Sequence, residues 1–285
     1  MSVSARDPGI PLRSACCTCV AALLLLALPA GVRCTHREDV AFFPPPERDH
    51  VTFWGHACCY IDVGGYGIVL DPVFAPRYFV RRRKIPVPPA VSRAGTRLIL
   101  ISHAHVDHFD TETIALFPDS ARVLCPWTAA EHLQGTGREV TIMRPGDTFD
   151  YPHGKVVAVY AEHPGKRWSW RGRQKDGAVG FIITTPYGNI YYSGDTEYFP
   201  EMNQIGSRWC PSIAIISINA HLTGQDAVRA VWATRAKRVV PVHFGAYDYL
   251  FFGPLRKPRG YAEIEKMISD QTVLLQPGES LPLAR

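Results

Sequence analysis

The sequence predicts a mixed α/β domain, because short strand segments and helix segments alternate along most of the chain. The strand segments are rich in β-branched and aromatic residues, and one of them is continuously apolar from Leu98 to Ile101. Such a strand usually lies inside a sheet that is covered on both faces. With 285 residues, 46% of them hydrophobic and 20% charged, the chain is long enough to bury one continuous core.

The N-terminus has the pattern of an export segment. Two arginines precede a stretch of 18 residues, 15–32, that carries no charge. Residues 28–30 (Leu-Pro-Ala) resemble a small-residue cleavage site, but the stretch could also just span a bilayer, and Cys34 is a possible point of lipid attachment. We therefore expect export to the periplasm or cell envelope, with 1–36 acting as a signal peptide or as a membrane or lipid anchor.

A polar, proline-rich segment, 37–50, is predicted to link this export segment to a folded domain covering 51–285. The first predicted strands are 51–54, 58–63 and 66–70, and Gly64-Gly65 between the last two is typical of a two-residue hairpin turn. A proline-rich and arginine-rich loop is expected at 76–89, before the apolar strand 97–102.

The rest of the chain alternates strands and helices. Further strands are predicted at 122–125, 155–160, 178–185, 189–193, 213–218, 238–242 and 272–275. The clearest helix begins at Thr223, whose hydroxyl can cap it while Asp226 completes a capping box. Other helices are expected at 111–117, 127–132 and 261–268.

The charge balance does not indicate a nucleic-acid partner. The net charge is +5, but most basic residues are scattered among acidic ones. The single dense cluster, Arg81 to Lys84, is interpreted as a solvated loop in preference to a site for an anionic substrate or a membrane surface. In the folded domain, Cys58, Cys59, Cys125 and Cys210 form no C-x-x-C pair, and we expect buried free thiols.

The motif that carries chemistry is the run His103-Ala104-His105-Val106-Asp107-His108 at the end of the apolar strand. In an extended segment His103 and His105 project to the same side, so they can hold one metal ion through imidazole nitrogens. Asp107 and His108 follow where the chain turns and can reach a second ion. A solvated histidine-rich turn is the alternative, and the buried approach through the apolar strand argues against it.

A site for two ions needs more ligands, and three candidates follow strands downstream. His163 comes after strand 155–160, Asp195 comes after strand 189–193 in a Ser-Gly-Asp-Thr turn, and His243 ends strand 238–242. Each residue alone could be a helix cap or a core histidine, but together they repeat one pattern of a strand followed by a ligand.

These residues resemble the metallo-β-lactamase superfamily, in particular its branch of N-acyl-phosphatidylethanolamine-hydrolysing phospholipase D and ascorbate-6-phosphate lactonases. The resemblance covers 51–245 and implies a four-layer αββα fold. Besides the histidine run it includes, in chain order, Gly55-His56, Leu70-Asp71-Pro72-Val73-Phe74, the proline-rich loop, Trp168-Ser169 with Arg171-Gly172, the Ser-Gly-Asp-Thr turn and His221.

The resemblance also implies a distribution of ligands over two divalent ions, most simply zinc, with manganese and iron as alternatives. One ion would bind His103, His105 and His163, the second would bind Asp107, His108 and His243, and Asp195 would bridge them. Asp107 and His221 are the candidate catalytic residues. The resemblance places His221 at the mouth of the site, where it can donate a proton or hold substrate. A backbone-bonded histidine is the alternative for His221, and His56 is expected beside the ligands rather than in the core.

The expected function is therefore hydrolysis by a hydroxide held between two metal ions. A phosphodiesterase similar to phospholipase D, acting on a phospholipid or small-molecule substrate, is the first hypothesis, and a lactonase is the enzymatic alternative. Nuclease activity fits an exported protein poorly, and β-lactamase action fits the motifs less well. A non-catalytic metal-binding envelope protein is the alternative of a different class, and the complete ligand set argues against it.

Overall fold

The computed structural model describes residue 43 and residues 48–169, 177–222, 224–249 and 270–284. The predicted export segment, the capping residue Thr223 and the predicted helix 261–268 lie outside these ranges. Among the described residues, no helix is long and apolar enough to cross a membrane. Phe43, in the segment predicted as a linker, is fully buried, and its carbonyl accepts a hydrogen bond from the Ser92 hydroxyl. Core packing therefore begins before the predicted boundary at Val51.

Sixteen strands and five helices are described, numbered here in chain order. The strands are β1 His50–Gly55, β2 Cys58–Val63, β3 Tyr66–Leu70, β4 Arg77–Tyr78, β5 Arg81–Arg83, β6 Thr96–Leu100, β7 Arg122–Cys125, β8 Val140–Ile142, β9 Thr148–Tyr151, β10 Gly154–Tyr160, β11 Val179–Thr185, β12 Gly188–Tyr192, β13 Ile213–Ser217, β14 Arg238–Val242, β15 Tyr247–Tyr249 and β16 Ser280–Pro282. The helices are α1 Ala90–Arg93, α2 Thr111–Ile114, α3 Trp127–Ala130, α4 Met202–Trp209 and α5 Gly224–Thr234.

Two large sheets pack face to face. The first has the strand order β16-β1-β2-β3-β6-β7-β8, and the second has the order β14-β13-β12-β11-β10-β9. The inner core between them takes alternate residues of each strand, such as Leu98 and Leu100 of β6 and Phe181 of β11. The intervening Ile99 faces the opposite way. This alternation follows from the two-residue period of a strand.

Helices cover the outer faces of both sheets. On the first sheet, Ile99 packs with Ile114 from the end of α2 and Ala129 of α3. On the second sheet, Ile182 packs with residues of α4 and α5, including Met202 and Val228. The layers therefore run helix, sheet, sheet, helix, and the predicted αββα architecture is confirmed.

Most predicted strands are present with bounds that differ by two residues or less, but several elements differ. The predicted strand 272–275 is wrong, because Thr272 makes only an isolated bridge to Val239. Helix α2 is shorter than predicted because the chain continues in tight turns toward Pro118, and a residue before proline avoids the helical region. Helix α3 is also shorter than its predicted range. Helix α4 was not predicted, although Met202, Ile205 and Trp209 have helical spacing.

The segment 76–89 was expected to be a loop and instead contains a hairpin. Strands β4 and β5 pair with each other, and β15 adds to β5 as the third strand of a small sheet. Within the basic cluster, the Arg83 guanidinium donates to the carbonyls of Val73 and Pro86, and the Lys84 ammonium lies 3.2 Å from the Asp248 carboxylate. The prediction of a loop is therefore wrong for this cluster, although Arg82 and Lys84 are exposed to solvent as expected.

The four cysteines of the folded domain are free thiols, and three of them are buried as expected. Cys58 and Cys59, which are neighbours in β2, pack into different cores on the two faces of the sheet. Cys210 is exposed, contrary to the prediction, because it ends α4 in a left-handed backbone conformation with φ of 40°.

The topology brings several strand ends to one edge. Strand β11 is antiparallel to both β10 and β12, so β10 and β12 run in the same direction. Strands β13 and β14 are parallel to β12. The C-terminal ends of β10, β12 and β14 therefore lie at the same edge of the second sheet. The end of β6 meets this edge, because the amide of Val179 at the start of β11 donates to the Ser102 carbonyl.

Candidate metal centre

The first group of converging side chains consists of His103, His105 and His163. The Nδ1 atom of His105 lies 2.9 Å from Nε2 of His103 and 3.2 Å from Nε2 of His163. All three rings are buried, and their facing nitrogens lie within 4.8 Å of one another. The backbone holds the loop of His163 against the histidine run, since the amide of Ala104 donates to the Gly165 carbonyl. The predicted ligands of one metal ion are therefore together.

The second group contains the other three predicted ligands and one further histidine. Asp107, His108, His243 and His56 each offer one atom within 4.8 Å of the others. The Oδ2 atom of Asp107 lies 3.4 Å from Nε2 of His56 and 3.6 Å from Nε2 of His243. His56 and His243 also exchange backbone contacts, because the His243 amide donates to the His56 carbonyl. Both residues have positive φ, 59° and 83°, which few residues other than glycine adopt. His56 thus lies beside the predicted ligands, and its ring is within reach of the same ion.

Asp195 lies between the two groups. Its Oδ1 atom is 3.2 Å from Nε2 of His108, and its Oδ2 atom is 3.6 Å from Nε2 of His243 and 4.0 Å from Nε2 of His163. The turn that carries Asp195 requires glycine at position 194. The φ angle of Gly194 is 55°, and a Cβ atom added there would lie only 2.6 Å from the Ser102 Cβ. This is the position that a carboxylate bridging two ions would occupy.

Asp71 is buried next to the proposed ligands and accepts several hydrogen bonds. One of its oxygens accepts hydrogen bonds from the Ser102 hydroxyl, the Tyr192 hydroxyl and Nδ1 of His108, and the other accepts the Ser102 amide. The carboxylate can only accept, so Nδ1 of His108 must carry the proton. The Nε2 atom of His108 is then the nitrogen that can face a metal ion. Because both oxygens of Asp71 already accept these hydrogen bonds, we assign Asp71 the role of orienting His108 rather than of binding an ion itself.

The polarity of the site fits divalent cations. Burial lowers the pKa of His163 to about 3, so its ring is neutral and able to bind a metal at neutral pH. Burial alone would raise the pKa of Asp107 and Asp195, but the surrounding histidines hold both well below the usual range. Several atoms that face the other ligands make no hydrogen bond with any described residue, namely Nε2 of His56, His108 and His243 and Oδ1 of Asp195. Buried nitrogens and carboxylate oxygens in this number are the donor set that zinc, iron or manganese takes.

His221 lies at the outer side of the first group. Its ring is exposed and 4.7 Å from the His163 ring in an edge-on arrangement. The turn that carries it is held by Asn219, whose Oδ1 accepts the amides of His221 and Leu222. The structure therefore places His221 beside the predicted ligands and open to solvent.

Two residues of the site were not identified from the sequence as contributing to it. Asn219 is buried, and its Nδ2 atom has no hydrogen-bond partner within the described part of the chain. Its position directly after β13, at the edge where the ligands follow β12 and β14, is a signal that could have found it. Tyr78 packs its ring 6.0 Å from the His56 ring. It lies in the segment that was predicted as a loop, so no strand pattern pointed to it.

Comparisons with known proteins identify the family of this chain. A family model described as a beta-lactamase superfamily domain matches residues 66–244. A UPF0173 metal-dependent hydrolase of Thermoplasma acidophilum is 29% identical over 212 residues, which cover 74% of this chain and 89% of that protein.

Solved structures show the same fold. A metallo hydrolase from Ignicoccus hospitalis has a TM-score of 0.60 and 22% identity, and the match covers 81% of this chain and 97% of that one. An isothiocyanate hydrolase from Delia radicum gut bacteria has a TM-score of 0.65 and 17% identity, with coverage of 83% and 100%. The narrower branch that contains phospholipase D and lactonases stays a prediction. The matched family model spans most of the folded domain, and the chain belongs to the beta-lactamase superfamily.

Proposed function

We propose that this chain is a metal-dependent hydrolase that holds two divalent ions and cleaves phosphodiesters, such as a headgroup linkage of a phospholipid. The observation that carries the proposal is the convergence of two groups of buried ligands on either side of Asp195. The relative from Thermoplasma acidophilum is itself named a metal-dependent hydrolase, which supports the general reaction class.

The proposed ligands follow the two groups. His103, His105 and His163 would hold one ion, Asp107, His108 and His243 the other, and Asp195 both. We propose zinc as the metal, with iron or manganese as alternatives, because imidazole and carboxylate ligands suit all three. Bound ions of this kind supply a water of lowered pKa and polarise the oxygen of the electrophile.

The remaining roles belong to the chain itself. Asp107 is held by His56 and His243 and keeps its side chain 12% exposed, so its carboxylate can accept a hydrogen bond from an attacking water that arrives from the solvent side and orient it. His221 is exposed beside His163 and can donate a proton to the leaving oxygen. Asp71 accepts a hydrogen bond from Nδ1 of His108 and thereby keeps the His108 ring in one orientation.

The test counts bound metal and measures turnover on a panel of substrates. The purified chain is assayed on a phosphodiester, an N-acylated phospholipid and several lactones, with and without chelator. We expect close to two metal ions per chain and chelator-sensitive phosphodiester hydrolysis. Asp195→Ala should abolish turnover, whereas the matched control Asp226→Ala, an exposed carboxylate paired with Arg229 on α5, should leave turnover unchanged.

Two outcomes would contradict the proposal. Equal turnover by wild type and Asp195→Ala, or a protein that never holds close to two ions, would refute the mechanism. Chelator-sensitive hydrolysis of lactones without hydrolysis of phosphodiesters would change the proposed substrate class and leave the proposed metal centre unchanged.

His221→Ala should lower kcat by about 100-fold or more without loss of bound metal if His221 is the proton donor.

A further inference from the structure

Two large aromatic side chains are exposed on segments that border the metal centre. Phe79 is 54% exposed and Trp168 is 64% exposed, and their rings meet edge to face with centroids 6.1 Å apart. We call them the aromatic pair. Phe79 follows Tyr78, whose ring lies 6.0 Å from the His56 ring. Trp168 follows His163 on the loop after β10. The aromatic pair thus joins the two loops that border the two ligand groups.

Each of the two segments that carry the aromatic pair also carries an arginine close to it. The Arg81 guanidinium donates to the Tyr78 hydroxyl at 2.8 Å and stacks 5.4 Å from the centre of the same ring. The Arg167 guanidinium lies 6.0 Å from the Trp168 ring and donates to the Phe109 carbonyl. Two cations that flank an apolar surface match a ligand with a negative charge next to an apolar group.

The backbone at Phe79 gives an independent reason to assign it a role. Phe79 and Val80 form the turn between β4 and β5, where Tyr78 pairs with Arg81. The φ angle of Phe79 is 48°, in the left-handed region that glycine adopts without cost. A phenylalanine there is more costly than glycine, and its ring is mostly exposed rather than buried in the core. The backbone at this position therefore favours glycine, and the phenylalanine ring contributes little to the buried core.

We propose that the aromatic pair binds the apolar ester group of an anionic substrate of the metal centre, with Arg81 and Arg167 attracting its negative charge. The inference rests on the proposed function, because it names the kind of diester that the centre would accept. It predicts that esters with an aromatic or other bulky apolar group are favoured over methyl esters that have the same leaving group.

The first test measures binding without turnover. Phenylphosphonate and methylphosphonate carry the same anionic group and differ in the ring, and calorimetry gives the affinity of the metal-loaded full chain for each. We expect wild type to prefer phenylphosphonate by about tenfold, and Trp168→Ala and Phe79→Gly to lose the preference. The control Trp232→Ala removes a tryptophan that is 57% exposed on α5 and should keep it. Phe79→Gly should not lower Tm, because glycine suits the positive φ.

The second test compares kcat/KM for p-nitrophenyl phenyl phosphate and p-nitrophenyl methyl phosphate in the same variants. The ratio between the two esters should fall about tenfold in Trp168→Ala and stay unchanged in Trp232→Ala. Hydrolysis of both esters without any ring preference in wild type would overturn this inference and leave the proposed function standing. If the protein hydrolyses neither ester but binds phenylphosphonate with a preference that depends on Trp168, the proposed function is wrong and this inference stands.

A membrane-binding role is the remaining outcome to separate. If Trp168→Ala keeps the phenylphosphonate preference but no longer sediments with vesicles that contain anionic lipid, the aromatic pair contacts a membrane and the inference is wrong. Vesicle binding that is equal in wild type and Trp168→Ala, together with loss of the ring preference, supports it.

Discussion

The substitution Asp71→Asn tests whether the orientation of a proposed metal ligand, His108, matters for metal binding while all the proposed ligands stay in place. Asp71 is 1% exposed and touches His108 through Nδ1 at 2.7 Å, while Nε2 of the same ring faces Asp195 at 3.2 Å. Asparagine keeps the shape of the side chain but replaces one oxygen with an NH₂ group that can only donate. The Ser102 amide and the three side-chain donors then cannot all find an acceptor.

The size of the effect follows from counting donors. If the asparagine carbonyl stays with His108, the Ser102 amide is left facing NH₂, and a buried donor without an acceptor costs about 1–3 kcal/mol. If the amide turns the other way, the Nδ1 proton of His108 meets NH₂, and the ring gains stability by moving its proton to Nε2. That nitrogen then no longer binds a metal. Loss of such a supporting partner typically weakens metal affinity by about 10–100-fold, or about 1.4–2.8 kcal/mol.

The assay is a chelator-competition titration that gives the metal affinity of each variant, with chemical denaturation of the metal-free proteins alongside. The matched control is Asp62→Asn. Asp62 is also buried, but it accepts the Gly65 amide in the turn between β2 and β3 and contacts no proposed ligand. We expect Asp62→Asn to lose some stability and keep wild-type metal affinity. If Asp71→Asn also binds metal as tightly as wild type, the argument about the proton on His108 is refuted, and Asp71 supports only the fold.

Three further predictions concern the loops and the metal-free protein. Gly165→Ala places a Cβ against the Gly177 carbonyl oxygen with no room between them, so we expect a loss of roughly 1–3 kcal/mol of unfolding free energy in denaturant titration, and an unchanged midpoint would contradict the close packing. Asn219→Ala removes the acceptor for two backbone amides and should cost roughly 1–3 kcal/mol by the same measurement, whereas Asn219→Asp should retain most of the stability. In the metal-free protein, burial lowers the pKa of both His56 and His163 to about 3, below their usual value of 6.5. Between pH 6.5 and about 3 the unfolded chain then binds more protons than the native one. Stability must therefore decrease as the pH is lowered through this window, by up to about 1.4 kcal/mol per pH unit for each such histidine. A flat stability profile across this window would show that these rings are not buried as neutral groups.

Local sequence was sufficient where a feature depends on neighbouring residues. The strands β2, β3, β7 and β14 have their predicted bounds, because alternating or continuous apolar residues determine which face is buried. The hairpin at Gly64-Gly65 is confirmed, with positive φ at both glycines. The short strands β4 and β5 were not predicted, because two or three residues carry too little periodicity. The third strand of their sheet, β15, lies far away in the chain.

The candidate site divides in the same way. The run from His103 to His108 was evident from spacing alone, because its side chains are set by one strand end. His163, Asp195 and His243 could be suggested only by pattern and resemblance, since their convergence depends on β10, β12 and β14 running in one direction. The segment around Asp71 was one of the resembling motifs, but its orienting role was not predicted, because its bond to His108 spans 37 residues.

The sequence by itself determined the class of the fold, the chemistry of the ligands and the place where the metal centre begins. It did so because strand period and side-chain chemistry are properties of adjacent residues. Only the tertiary structure decided which distant side chains complete the centre, which histidine nitrogen is directed inward, and that Phe79 and Trp168 meet beside it. Those features depend on distances between segments that the chain connects only through the packing of two whole sheets.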